Sequence, residues 1–159
     1  MLGETSTASK KFTLRKLPFW GRVDEDELDF QWPTQVLLDQ MPRDVRLQSL
    51  EFKCDEDDES PSIASIKVNL SHGFESEVFK AFPDEFKHNQ KIEFDGNRPV
   101  KTVQGADNNG EYDYITAVKF MDEDSNQVSC YDPADNNMNL YPGKVHQIGD
   151  NEELIGVYG

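Results

Sequence analysis

One six-residue pattern occurs three times in this chain and constrains its fold more than any other feature. An apolar residue is followed by two small or polar residues and then by an apolar–charged–apolar run, at residues 47–52, 63–68 and 115–120. The end of each copy alternates with period two, which is the pattern of a half-buried strand. The leading apolar residue of each copy falls on the opposite face of the strand unless a β-bulge or a bend intervenes.

Other short segments extend this β pattern along the chain. Further strands are predicted at residues 91–95, 127–131 and 154–158. The segments between strands are rich in Asp, Asn, Gly and Ser, which predicts turns and exposed loops at residues 55–61, 71–73, 95–97, 105–110 and 122–126. We therefore expect an all-β fold of antiparallel Greek-key sheets, as in a sandwich, a barrel or a prism.

The N-terminal part of the chain has a different character. We predict that residues 1–42 are a basic tail followed by an aromatic-rich extension, and that residues 43–159 are the β domain. Within the extension, the pattern predicts a short strand at residues 12–17 and an acidic helix start at residues 24–29. Residues 34–41 fit either a strand or a short helix.

The net charge of −15 is unevenly distributed. Five basic residues against one acidic residue give residues 1–22 a charge of +4, which leaves −19 for residues 23–159. An acidic body repels phosphate backbones and anionic membrane surfaces, so we expect neither nucleic acid nor membrane as a partner. It attracts basic protein surfaces. The alternative is that the carboxylates only keep the domain soluble.

Cysteine content and terminal sequence indicate a cytoplasmic protein. Cys54 and Cys130 are too few for a disulfide scaffold, and neither a signal peptide nor a membrane-spanning stretch is recognisable. Cytoskeletal and ciliary assemblies fit a protein of this kind as well.

The sequence lacks the usual signs of catalysis. His72, His88 and His146 are not at metal-ligand spacing, and no nucleophile or phosphate-binding motif is present. We therefore expect no enzyme activity, no cofactor and no metal site.

Two oxygen-rich loops leave a weaker alternative open, which is a cation-dependent binding module. Residues 122–126 resemble the start of an EF-hand loop, but Gln127 and Pro133 stand where that loop needs Gly and Glu. Residues 132–139 form the second loop, and Asx turns explain its composition without an ion.

Four aromatic residues in the extension are the candidate docking residues: Phe19, Trp20, Phe30 and Trp32. Either these rings cover one end of the β domain, or they anchor a partner, because aromatic anchors dominate the energetics of protein interfaces.

The order of elements after residue 45 resembles the jacalin-like lectin family, which has the β-prism fold. The resemblance lies in residues 63–68 followed by Ser-His-Gly, in residues 91–94 leading to Val103-Gln-Gly105, in residues 115–120 and in residues 154–159. It implies a threefold prism of four-stranded sheets, which in this family is usually a lectin.

The resemblance is incomplete at the sugar-binding loop. In the family, a Gly-x-x-x-Asp-type loop follows the strand that resembles residues 154–159, and the sequence ends at Gly159. The segment from Gly149 to Glu153 precedes that strand and has Glu at the corresponding spacing. The missing last strand also predicts an apolar edge, so that the sequence is a fragment or a partner completes the sheet.

Together these features predict a non-catalytic, jacalin-like β-prism domain. We expect it to be a structural, protein-binding component of a larger protein complex. The alternative is a carbohydrate-binding lectin whose sugar loop lies beyond residue 159.

Overall fold

The computed structural model describes residues 13–17, 31–55, 62–80, 88–107, 115–122 and 142–158. These residues are mostly β-strand, with one short helix and one 3-10 turn. In chain order the elements are β1 Gln31–Trp32, α1 Gln35–Asp39, β2 Leu47–Asp55, β3 Ser62–Leu70, the 3-10 turn Ser71–Gly73, β4 Phe79–Lys80, β5 His88–Glu93, β6 Thr102–Asp107, β7 Ile115–Met121, β8 Pro142–Gln147 and β9 Val157–Tyr158.

The strands form three antiparallel sheets. A four-stranded sheet has the order β4-β3-β2-β5, a three-stranded sheet has the order β7-β6-β8, and β1 pairs with β9 alone. Each larger sheet contains at least one of the repeated sequence patterns, β2 and β3 in the first and β7 in the second. The expected all-β class with antiparallel sheets is confirmed.

Each copy of the repeated pattern contains a β-bulge at its second residue. On β2, Leu47 faces Leu70 and Ser49 faces Asn69, so Gln48 has no partner residue on β3. In the same way, Ala64 of β3 has no partner residue on β2, and Thr116 of β7 has none on β6. The extra residue turns the leading apolar side chain back towards the core, which is why Leu47 is buried together with Leu50 and Phe52.

A single core joins the two larger sheets and the helix. Leu50, Val68 and Leu70 are its most deeply buried side chains. Phe94 and Phe120 meet edge to face, with ring centroids 5.3 Å apart, and this contact links the end of β5 to β7. The buried apolar residues are Leu38, Met41, Val45, Leu47, Leu50, Phe52, Val68, Leu70, Ile92, Val103 and Phe120.

Helix α1 decides between the two predictions made for residues 34–41. Thr34 is its N-cap, and the Thr34 hydroxyl accepts a hydrogen bond from the Leu37 amide at 3.2 Å. Leu38 and Met41 then reach the core. The short-helix alternative is confirmed, and part of the predicted extension packs against the β domain.

Two of the predicted strands differ from the structure, and two further predicted elements fall on residues that the structure does not describe. The strand expected at residues 12–17 is absent from residues 13–17, which are irregular because body side chains bind their backbone. In the segment 154–158 only β9 is a strand. The predictions for residues 24–29 and 127–131 lie outside the described residues.

Candidate functional site

Among the candidate docking residues, the structure places only Trp32. It lies in β1, is half-buried, and packs against the core. Phe19, Trp20 and Phe30 lie outside the described residues. The structure does describe Leu17 and Gln31, the residues on either side of the segment that contains these three side chains. The candidate site lies around these two residues.

The ribbon of β1 and β9 brings Trp32 close to the other end of the sequence. Gln31 faces Tyr158 and Trp32 faces Val157 across this ribbon. Gly156 permits the close approach, since a Cβ atom at this position would collide with the carbonyl oxygen of Trp32 and with the ring of Pro33. The two strands can therefore meet only with glycine at position 156.

Residues 13–17, which we call the strap, lie along this ribbon and α1. Leu14 and Leu17 are half-buried and pack against the core. The Leu14 amide donates to Oε1 of Gln35 at 2.9 Å, and the Leu17 carbonyl accepts from the hydroxyl of Tyr158. Gln35 is held in place by a bond from its Nε2 to Asp39 at 3.0 Å. The strap backbone is thus bound at both ends by side chains of the body.

Arg15 makes the strongest polar contact of the strap. Its Nε and Nη2 atoms lie 2.5 and 2.8 Å from the two carboxylate oxygens of Glu152, a bidentate pair. Nη2 also lies 3.4 Å from the carbonyl oxygen of Gln147. The Gly149 amide donates to Glu152 Oε1 at 2.8 Å and so orients the carboxylate. Hydrogen bonding by Arg15, with a smaller effect from the Gly149 amide, lowers the pKa of Glu152, and the same pair raises the pKa of Arg15.

Lys16 lies against the other side of the same site. Its ammonium nitrogen is 5.0 Å from the ring centroid of Tyr158, within the range of a cation–π contact. Burial raises the pKa of Tyr158, so its hydroxyl keeps its proton and can donate to Leu17. One tyrosine therefore contacts two consecutive strap residues.

We call the body residues that contact the strap the seat: Gln35, Gln147, Glu152 and Tyr158. The seat is held by a second arginine. Nη2 of Arg46 lies 3.1 Å from Glu153 Oε1, and Nη1 donates to the Gly96 carbonyl at 3.1 Å. Arg46 immediately precedes β2. Its bond to Glu153 therefore holds the connector that carries Glu152 against the four-stranded sheet.

Sequence reasoning did not identify the seat. Arg15 and Glu152 are 137 positions apart, and only the fold brings them together. The available signal was the charge contrast between a basic segment flanked by leucines and the acidic turn after Gly149, and this contrast does not specify which acid pairs with which base.

The described residues also bear on the predictions about metal ions and membranes. No three His, Cys, Asp or Glu side chains in the described ranges come together as metal ligands. Of the two oxygen-rich loops, only Asp122 is described. Within the same ranges, no helix has the length and apolar character that crossing a membrane requires.

Comparison with known proteins adds no family. No protein-family model matches the chain, and no curated protein is significantly similar to it. The functional inference therefore depends on the strap, the seat and the segment that begins at the strap.

Proposed function

We propose that this chain is a non-catalytic, jacalin-like β-prism domain that acts as a protein–protein interaction module in a larger cytoplasmic assembly. Its docking segment is residues 18–30, which contain Phe19, Trp20 and Phe30. Three separate antiparallel sheets and a repeated bulged strand support the prism architecture.

One observation carries the docking role. The two residues that flank the segment, Leu17 and Gln31, both lie at Tyr158, the first through its hydroxyl and the second by strand pairing. The two residues on either side of the segment are therefore held at the same tyrosine. Closing a loop at its base removes chain entropy before a partner arrives, which reduces the ordering cost of binding.

Charge favours a basic partner. Residues 23–159 carry −19, and this charge steers basic surfaces towards the domain over distances of about one Debye length, roughly 8 Å at physiological salt. The aromatic side chains of the segment supply apolar anchors, and the carboxylates of the domain supply orientation.

The lectin alternative receives no support from the turn at residues 149–153. The carboxylate of Glu152 is bound by Arg15 and the Gly149 amide, and that of Glu153 is bound by Arg46. Both carboxylates are thus engaged by arginine side chains in this structure.

The test compares two full-length double variants in quantitative co-purification from cells. F19S/W20S removes the proposed anchors, whereas V36S/V78S removes two exposed apolar side chains elsewhere, which are 68% and 42% exposed. We expect the first variant to lose its partners at least about tenfold, and the second to keep them. Equal recovery by both variants contradicts the docking role. Binding of the full-length protein to a glycan array would establish the lectin function instead.

A further inference from the structure

The seat contacts every residue from Leu14 to Leu17. It binds two backbone groups, the Leu14 amide and the Leu17 carbonyl, and it binds both charged side chains. The two leucine side chains pack against the core on either side of these charges. Such contacts recognise the direction of the bound segment, its backbone and its side chains together, as peptide-binding sites do.

The chemistry of each contact defines the residue that it accepts. The two carboxylate oxygens of Glu152, oriented by the Gly149 amide, match the planar fork of a guanidinium, which the single ammonium of lysine cannot replace. The tyrosine ring accepts a cation at the next position. The spacing therefore selects a segment with the pattern apolar–Arg–Lys–apolar.

The bound segment lies at the surface and can leave without unfolding the core. The side chains of Arg15 and Glu152 are 50% and 37% exposed, so the ion pair between them is accessible to solvent and to salt. The strap belongs to the same chain, however, and its local concentration at the seat is high, on the order of millimolar for a short tether. A competitor must therefore overcome this intramolecular advantage.

We propose that the seat is a recognition site for basic protein segments with the pattern apolar–Arg–Lys–apolar, and that the strap is its built-in occupant. A partner that carries this pattern displaces the strap and binds to Glu152 and Tyr158 in its place. This site is separate from the aromatic docking segment, and it stands whether or not that segment binds a partner.

The experiment uses a labelled peptide with the sequence of residues 10–17 and full-length variants with an emptied seat. R15E places a carboxylate opposite Glu152 and expels the strap, and L14D/L17D expels it by removing the apolar contacts. We expect both variants to bind the peptide at least about tenfold more tightly than the wild type. Circular dichroism confirms that both variants are folded.

A charge exchange tests the specificity of the site. E152R should not bind the peptide, but it should bind a peptide in which the arginine is replaced by glutamate. The matched control is K91E, which makes the same change of charge, breaks the exposed pair between Lys91 and Glu93 on β5 and leaves the seat and the strap in place; it should bind the peptide as weakly as the wild type does. The proposal is overturned if neither emptied variant binds better than K91E, or if a scrambled peptide of the same composition binds equally well.

Discussion

At position 156 a single hydrogen atom decides whether β1 and β9 can pair. A methyl group there would overlap the backbone of Trp32, and a backbone atom cannot move aside as a flexible side chain can. We expect Gly156→Ala to lower the free energy of unfolding by about 2 kcal/mol, because the strands must separate to admit it. Urea denaturation followed by circular dichroism measures this loss.

Gly96→Ala is the matched control for this substitution. Its added methyl group meets the tip of the Arg46 side chain at 2.9 Å, and that side chain can rotate away. We expect a change within about 0.5 kcal/mol. If the two substitutions cost the same, the contact between Gly156 and Trp32 is not the constraint that the structure indicates.

The ion pair of the strap predicts a pH dependence with a defined sign. Because the folded state lowers the pKa of Glu152, the strap contact is complete above the ordinary pKa of a glutamate and is lost as pH falls through the lowered value. Nuclear magnetic resonance of the carboxyl carbons should show Glu152 titrating below exposed glutamates. Arg15→Gln should raise its midpoint, whereas Lys91→Gln, which breaks an exposed ion pair away from the seat, should not; equal midpoints in the wild type and Arg15→Gln contradict this assignment.

At the scale of the strand, the bulges explain why three apolar residues with spacings of three and two share one face. We expect deletion of Gln48 to cost less than Leu47→Ala, for which we expect a loss of about 2–4 kcal/mol, because the deletion brings Leu47 to a spacing of two from Leu50 and a regular strand then keeps both side chains on the core face. Gln48→Ala keeps the bulge and removes only an exposed side chain, so it should change stability by less than about 0.5 kcal/mol. Chemical denaturation of the three variants measures this, and a deletion that costs as much as Leu47→Ala would contradict the role given to the bulge.

Strands with alternating patterns could be predicted from the sequence, whereas for the leading apolar residue the sequence left open whether it lies on the opposite face or is turned by a β-bulge or a bend. The period-two run in residues 50–52 specifies a strand, and the buried leading residue Leu47 requires the extra residue that the structure shows. By contrast, β1 has two residues and exists only because β9 lies beside it. The strap looked like a strand because Phe12 and Leu14 alternate with polar residues in the sequence, but its leucines pack against the core while its backbone is bound by Gln35 and Tyr158. Short segments take their structure from distant partners, which local patterns do not contain.

At the scale of the whole molecule, the shared core predicts cooperative unfolding. Leu50 lies in the four-stranded sheet and Val103 in the three-stranded sheet, and both belong to one buried cluster. We expect Leu50→Ala and Val103→Ala each to lower stability by about 2 kcal/mol or more, in a single transition. Val36→Ala, at an exposed site of α1, should have little effect. Tryptophan fluorescence and circular dichroism should give coincident curves, and separate transitions would show that the sheets unfold independently.

The candidate site depends on contacts across nearly the whole sequence, which limits what the sequence could predict. The acidic character of the body and the basic character of the N-terminal segment were evident from composition, and they indicated attraction between the two. Which carboxylate receives Arg15 depends on the turn that the Gly149 amide closes on Glu152, and on the position that Arg46 gives to this turn. These are properties of the folded chain.

The large separation between the strap and its seat also sets an order of events during synthesis. Leu17 and Tyr158 are 141 positions apart, so a ribosome makes the strap long before the residues that will hold it. At translation rates of about 5–20 residues per second, this interval is on the order of ten seconds. During that period the strap exists without its seat, so the contacts of Arg15 and Lys16 with Glu152 and Tyr158 can form only after residues 147–158 have been made.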